Sequence, residues 1–315
     1  MYYMEKKILV SIQCLVYNHE SYLRQCLDGF VMQKTNFKFE AIVHDDCSTD
    51  GSAAIIREYA EKYPDIIKPI YETENQYSKH DGSLDRIMNS ACKGKYIALC
   101  EGDDYWTDPL KLQKQYDVLE NSHNVILVYT NYNVVDDKNN YLILAFWEKN
   151  KERSHSGDNF PDLVKGNYIM TLTTMFRREL LTNSLLKKCK NTMDLNYFRA
   201  ASTMGDFSYI PEVTASYRRN PTGMTMSNHS IIDRNAKQIN LFYNHFYLKS
   251  FYKKYKLCTR LKIKYFMIVD AFSLRYDKPF NIYKYYCGLD KTMFLFCPIA
   301  LLYYIYKRIH KILIK

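Results

Sequence analysis

Two clusters of carboxylates carry most of the chemistry legible in this 315-residue chain: Asp45–Asp46 with Asp50, and Glu101–Gly102–Asp103–Asp104. In the second, Glu101, Asp103, Asp104 and Asp108 fall within eight positions, directly after the apolar run Tyr96–Ile97–Ala98–Leu99. Like charges so close raise one another's pKa and repel unless a cation sits among them. Hard oxygen ligands on one short turn suit Mg²⁺ or Mn²⁺, with phosphate oxygens completing the octahedron. The plain alternative is an exposed acidic loop. Position at the carboxyl end of a strand favours a site, because open α/β sheets bind ligands beyond that edge.

The elements that must hold these clusters follow from the hydrophobic pattern. Residues 8–17 read as a buried strand, followed by a helix with Leu23, Cys26, Leu27 and Phe30 at helical spacing and Ser21 as a candidate cap. A second strand, Phe39–Val43, runs into His44–Asp45–Asp46–Cys47–Ser48–Thr49–Asp50–Gly51, and Ser52 to Tyr63 is helical up to Pro64. Ile66–Tyr71 and Tyr96–Cys100 are further strands, separated by a helix from Leu84 to Ala91. Another helix runs from Pro109 to Glu120. Beyond it, Val125–Tyr129 and Met170–Phe176 read as strands with a turn at Asp162–Gly166. Ser208–Ile210 and Val213–Tyr217 read as extended pieces split by Pro211–Glu212. Strands alternating with helices predict βαβ units and a mostly parallel sheet. Three polar clusters, Tyr17–Asn18, Asp45–Asp46 and Glu101–Asp104, then end three strands on one edge.

Taken together, these segments resemble the family-2 glycosyltransferases of GT-A fold, of the type that builds bacterial surface polysaccharides. The matching residues are Val10–Ser11–Ile12 leading to Tyr17–Asn18, the cassette Asp45–Asp46–Cys47–Ser48–Thr49–Asp50–Gly51–Ser52, and Lys93–Gly94–Lys95–Tyr96–Ile97 leading into Glu101–Gly102–Asp103–Asp104. The resemblance spans about residues 7 to 225. It implies a Rossmann-like sheet flanked by helices, a nucleotide-sugar donor with UDP-sugar favoured, and inversion at the anomeric carbon. By position it implies that Tyr17 stacks near the base and Asp46 bonds its edge. Asp103 contacts the ribose or the metal-bound pyrophosphate, and Arg218 either approaches the pyrophosphate or forms a structural ion pair. Asp103, Asp104 and Glu101 are the metal candidates, with Glu101 standing where Asp is usual. Trp106 is a candidate for the acceptor side or, equally, for core packing.

The resemblance also implies a catalytic Asp opening a helix about a hundred residues after the metal motif. Asp206 has the local pattern, with Gly205 before it and Phe207 after it. Spacing favours Asp194, about fifteen residues before Tyr209–Ile210–Pro211–Glu212, with Tyr197, Phe198 and Ala201 on the inner face of its helix. A carboxylate near a helix N-terminus stays ionised and can accept a proton. His44 and His229 are read as structural or surface residues.

Composition sets the bounds. Hydrophobic content of 47% excludes global disorder, and nine cysteines without a Cys-x-x-Cys pair give poor support to zinc or a disulfide framework. The start lacks the apolar h-region of a secretory signal, so a cytoplasmic protein is expected. Net charge is +10, but residues 1–230 carry −3 and residues 231–315 carry +13. The chain is therefore divided into a catalytic domain, 1–230, and a C-terminal helical, basic and aromatic segment, 231–315. In that segment Met293–Tyr306 is too short to span a bilayer and is interrupted by Pro298. Basic residues interleaved with such apolar runs predict peripheral attachment to the anionic inner face of the cell membrane, and no nucleic acid. The acceptor expected from this is a glycan or a lipid-linked glycan. A nucleotidyltransferase would need a Gly-rich basic loop near the N-terminus, which is absent. A non-catalytic lipid- or nucleic-acid-binding protein on the same scaffold is the other reading, against which intact Asp46, Asp103 and Asp104 stand.

Overall fold

The computed structural model describes residues 7–149, 154–164, 166–184, 186, 194–220 and a short run between 255 and 265. The elements in chain order are β1 (Ile8–Val16), α1 (Glu20–Val31), β2 (Lys38–Asp45), α2 (Ser52–Lys62), β3 (Ile67–Tyr71), α3 (Ser83–Ala91), β4 (Tyr96–Leu99), β5 (Tyr105–Trp106) and α4 (Lys111–Asn121). Then come β6 (Val125–Val135), β7 (Tyr141–Ile143), α5 (Phe160–Leu163), β8 (Thr174–Arg177), α6 (Asp194–Ser202) and β9 (Asp206–Arg218).

One sheet takes the strand order β3-β2-β1-β4-β8-β6-β9-β5, with β7 added to β6. Strands β3, β2, β1 and β4 run parallel, and β6 and β9 share their direction. Strands β8, β7 and β5 run against them. The mostly parallel α/β architecture is the expected one. Each βαβ unit returns the chain to the same edge, so β1, β2, β4, β6 and β9 all end there.

The apolar spacing read from the sequence becomes the core. Val10, Ile12, Cys14 and Val16 of β1 lie under Leu23, Cys26, Leu27 and Phe30 of α1, with Ile55, Ile56 and Tyr59 of α2 and Leu112 and Leu119 of α4 in the same cluster. Fully burying such a side chain contributes about 1.5–3 kcal/mol. Pro69 sits in edge strand β3, where a missing N–H is tolerated. Gly94 is required, since a Cβ there would run into the Ser11 backbone.

Four local expectations are corrected. Helix α1 starts at Glu20, so Ser21 lies inside it, and the preceding His19 makes no side-chain cap. Residues Thr171–Thr173 form a 3₁₀ turn, and the strand begins only at Thr174. Helix α5 occupies part of the expected turn at Asp162–Gly166. Strand β9 is continuous through Pro211: Thr130 pairs with Ile210 and Asn131 with Val213, so Pro211 and Glu212 are a bulge that absorbs the missing donor.

Helix α5 groups with the C-terminal part of the chain as a second compact unit. Of that part only the run between 255 and 265 is described, and residues 257–261 of it are helical. The expectations for His229 and for Met293–Tyr306 lie outside the described residues. No helix among the described residues is long and apolar enough to cross a membrane.

Candidate active site

The site begins with two loops that lock each other at the carboxyl ends of β1 and β2. Asn18 and Cys47 adopt left-handed backbone conformations, φ 56° and 64°. Asn tolerates that region better than other non-glycine residues. The Asn18 side chain accepts from the Thr49 N–H at 2.8 Å, while the Asn18 N–H donates to Ser48 Oγ at 3.0 Å. The Glu20 N–H donates to Asp50 Oδ2 at 3.0 Å, and Glu20 Oε2 accepts from the Gly51 N–H at 2.9 Å. This reciprocal pairing leaves Tyr17 at the rim, 48% exposed.

Asp46 is buried, and both its oxygens are held. Oδ1 accepts from the Gln76 N–H at 2.6 Å and Oδ2 from the Tyr77 N–H at 3.1 Å. Asp50 is pulled upward by burial. The Ser52 hydroxyl and the Glu20 and Ser52 N–H groups outweigh that, and its carboxyl lies below the ordinary range.

The turn after β4 behaves differently. Glu101 accepts from Thr171 Oγ1 at 2.8 Å. Burial, with the nearby charges of Asp194 and Asp103, pushes its carboxyl up to about 8 against that bond. Asp104 is pushed well above the carboxylate range by burial, Asp103 and Glu101, although the Arg218 N–H donates to its Oδ1 at 2.7 Å. Gly102 lets His19 pack close, since a Cβ would stand 2.8 Å from His19 Nδ1. His19 Nε2 in turn lies 4.0 Å from Asp103 Oδ2. Glu101 and Asp104, raised in this way beside Asp103, form a turn where a cation would favour the ionised form.

Helix α6 brings Asp194 to this pocket, close enough to raise Glu101. Asp194 keeps a face open to solvent. The protein packed around its carboxyl, with Asp85 of α3, raises it to about 6 against a local backbone hydrogen bond. Tyr197, one turn on, reaches the same Asp85 (Oη to Oδ1, 3.3 Å). Asp206 is at the other end of the sheet. It starts β9 beside Val125, and its Oδ2 accepts from Asn124 Nδ2 at 3.0 Å. The structure thus brings together Tyr17, Asp46, Glu101, Asp103, Asp104 and Asp194 at one edge, without Asp206.

Two further candidates, Trp106 and Arg218, are buried. Trp106 is 2% exposed, edge-on to Phe30 at 4.9 Å, with Nε1 donating to the Leu172 carbonyl at 2.9 Å. It is a core residue and presents no acceptor surface. Arg218 is also 2% exposed, and its guanidinium makes hydrogen bonds to the protein rather than facing open solvent. Sequence reading missed His19 and Thr171. The polar run Tyr17–Glu20 signalled the first, and nothing local signalled the second, which lies 70 residues from its partner.

The family model for glycosyl transferase family 2 matches residues 11–184. The chain belongs to that family. It is 34% identical over 220 residues to an uncharacterized protein of Mycobacterium tuberculosis, covering 68% of this chain and 60% of that protein. The chain therefore spans about three-fifths of that relative's length. It is 26% identical over 217 residues to the putative teichuronic acid biosynthesis glycosyltransferase TuaG of Bacillus subtilis, covering 67% of this chain and 79% of TuaG. Among solved structures it shares its fold with residues 1–349 of S. aureus TarS in complex with UDP-GlcNAc, at TM-score 0.55 and 14% identity over 85% and 82% of the two chains. The mannosyltransferase PcManGT of Pyrobaculum calidifontis, in complex with GDP-Man and Mn²⁺, has TM-score 0.54 and 15% identity over 96% and 88%.

Proposed function

We propose that this chain transfers a sugar from a nucleotide-diphosphate donor, with UDP-sugar favoured, to a hydroxyl of a glycan or lipid-linked acceptor, inverting the anomeric centre. The observation that carries the reading is Asp194 meeting the acidic turn Glu101–Asp104 on the edge that also holds Tyr17 and Asp46. Relatives support the donor class: TarS is bound to UDP-GlcNAc and PcManGT to GDP-Man with Mn²⁺.

Tyr17 supplies an exposed ring for stacking on the base. Asp46, pinned by two backbone N–H groups, keeps lone pairs for the base edge. A divalent cation fits the turn in a limited way. Among the described residues no three His, Cys, Asp or Glu side chains form a complete metal cage. Mn²⁺ or Mg²⁺ held by one or two carboxylates plus donor phosphates needs no such cage. Asp103 and Asp104 are the residues that would hold it, with Glu101 beside them. A cation there would favour the ionised form of these carboxyls and would offset charge on the leaving diphosphate. Asp194, at about 6, is ionised at neutral pH and accepts the proton of the attacking hydroxyl.

The basic segment 231–315 is assigned to an anionic membrane surface, where each nearby cation contributes about 1 kcal/mol. TuaG, named for teichuronic acid biosynthesis, supports a surface-polysaccharide acceptor. A thermal-shift screen of nucleotide sugars with and without Mn²⁺ tests the donor class. A UDP-sugar that stabilises the protein only with metal supports it, and indifference to every nucleotide would refute it.

A further inference from the structure

Arg218 ends β9 beneath the acidic turn, and its contacts tie three separate segments together. Its N–H donates to Asp104 Oδ1 at 2.7 Å and its Nε to the Asp103 carbonyl at 2.8 Å. Nη2 donates to Gln25 Oε1 of α1 at 2.8 Å. Nη1 donates to Asn139 Oδ1 at 2.8 Å and to the Asp136 carbonyl at 3.3 Å, both in the turn between β6 and β7. Four hydrogen bonds thus leave one guanidinium, whose carbon also lies 4.6 Å from the Tyr22 ring centre and 5.4 Å from that of Tyr105. We propose that Arg218 is a positioning residue for the cation site, fixing the Asp103–Asp104 peptide rather than touching the donor. The inference rests on reading that turn as the cation site.

The anchor points are rigid enough for this role. Asn139 sits in the left-handed region at φ 66°, and Asp136 closes the turn by accepting from the Lys138 and Asn140 N–H groups and the Asn140 amide. On the other side, Gln25 belongs to a helix whose buried face is in the core. The planar fork holds the Asp103 carbonyl from below, so the directions of the two flanking carboxylates follow from it. A lysine would keep the charge but could not satisfy partners in three directions. The positive charge among Asp103 and Asp104 also lets a buried turn this acidic form before any cation arrives.

The test is calorimetry of UDP binding to the full chain, at zero and at saturating Mn²⁺, with thermal unfolding recorded alongside. Arg218→Lys should leave metal-free UDP affinity within twofold and cut the gain brought by Mn²⁺ by tenfold or more. Asn139→Ala and Gln25→Ala, which lie on the far side of the fork, should cut the same gain about two- to fivefold at unchanged unfolding temperature. Arg218→Lys lowering metal-free UDP affinity, with uridine affinity intact, would mean direct contact with the diphosphate and would overturn the proposal. So would an unchanged Mn²⁺ gain in all three variants. A wild-type protein with no Mn²⁺ gain would instead overturn the cation-site reading on which the proposal stands.

Discussion

At the end of β2, Asp46 and Asp50 are met by backbone N–H groups from Gln76, Tyr77, Glu20 and Ser52. At the end of β4, Glu101 accepts from the Thr171 hydroxyl, Asp104 from the Arg218 N–H, and Asp103 lies 4.0 Å from the His19 imidazole. Backbone donors thus meet Asp46 and Asp50 of the first turn, and Asp50 lies below the ordinary carboxylate range. The second leaves Glu101 at about 8 and Asp104 well raised. Two turns of similar composition thus differ in electrostatics: backbone N–H groups hold Asp46 and Asp50, whereas Glu101 and Asp104 are raised in a way that a bound cation would reverse.

Breaking the second region costs most. Asp194→Asn should reduce transfer about 10³-fold, within the range of a lost general base, while UDP affinity stays within twofold. Single-turnover rates and calorimetry separate the two. With Asp194 at about 6, the wild-type rate should rise through pH 6 and level off above it, because only the carboxylate accepts a proton. Below that point it should fall tenfold per pH unit, and a flat profile from pH 5 to 8 would remove Asp194 from the role.

Perturbing the first region should act on stability. The Asp50 carboxyl is lower in the folded chain than its ordinary 3.8, so its contribution is present above that value and disappears as pH falls through the folded one. Asp50→Ala should therefore lower the unfolding temperature at pH 6, by a difference that shrinks as pH falls below 3.8. A constant difference at every pH would contradict the assignment. Smallest of all, Asp206→Asn should leave transfer within twofold, since its side chain bonds Asn124 at the amino edge of β6 and β9.

The contrast between the turns also explains what was legible in the sequence. Units β1 through α2 could be read from apolar spacing, because a buried strand and an amphipathic helix are local patterns. The site edge followed from where the polar clusters interrupt those patterns. The separation of Asp194 from Asp206 could not be read from local residues, since Gly205–Asp206–Phe207 imitates the motif and only sheet direction sends it to the other edge. Trp106 and Arg218 were hidden for a related reason. Their partners Leu172 and Gln25 lie 66 and 193 residues away, so burial and hydrogen bonding are set by packing, not by neighbours in sequence. Pro211 suggested a break that the bulge in β9 removes.

The central claim is that the turn after β4 joins a nucleotide diphosphate to a divalent cation, and Asp103→Ala tests it most directly. Titrating UDP into wild type and variant, with and without Mn²⁺, should give wild type a metal-dependent gain of about 100-fold, or about 2.7 kcal/mol, that the variant loses. Metal-free affinity should be the same for both. An Asp103→Ala protein that keeps the full Mn²⁺ gain would contradict the account.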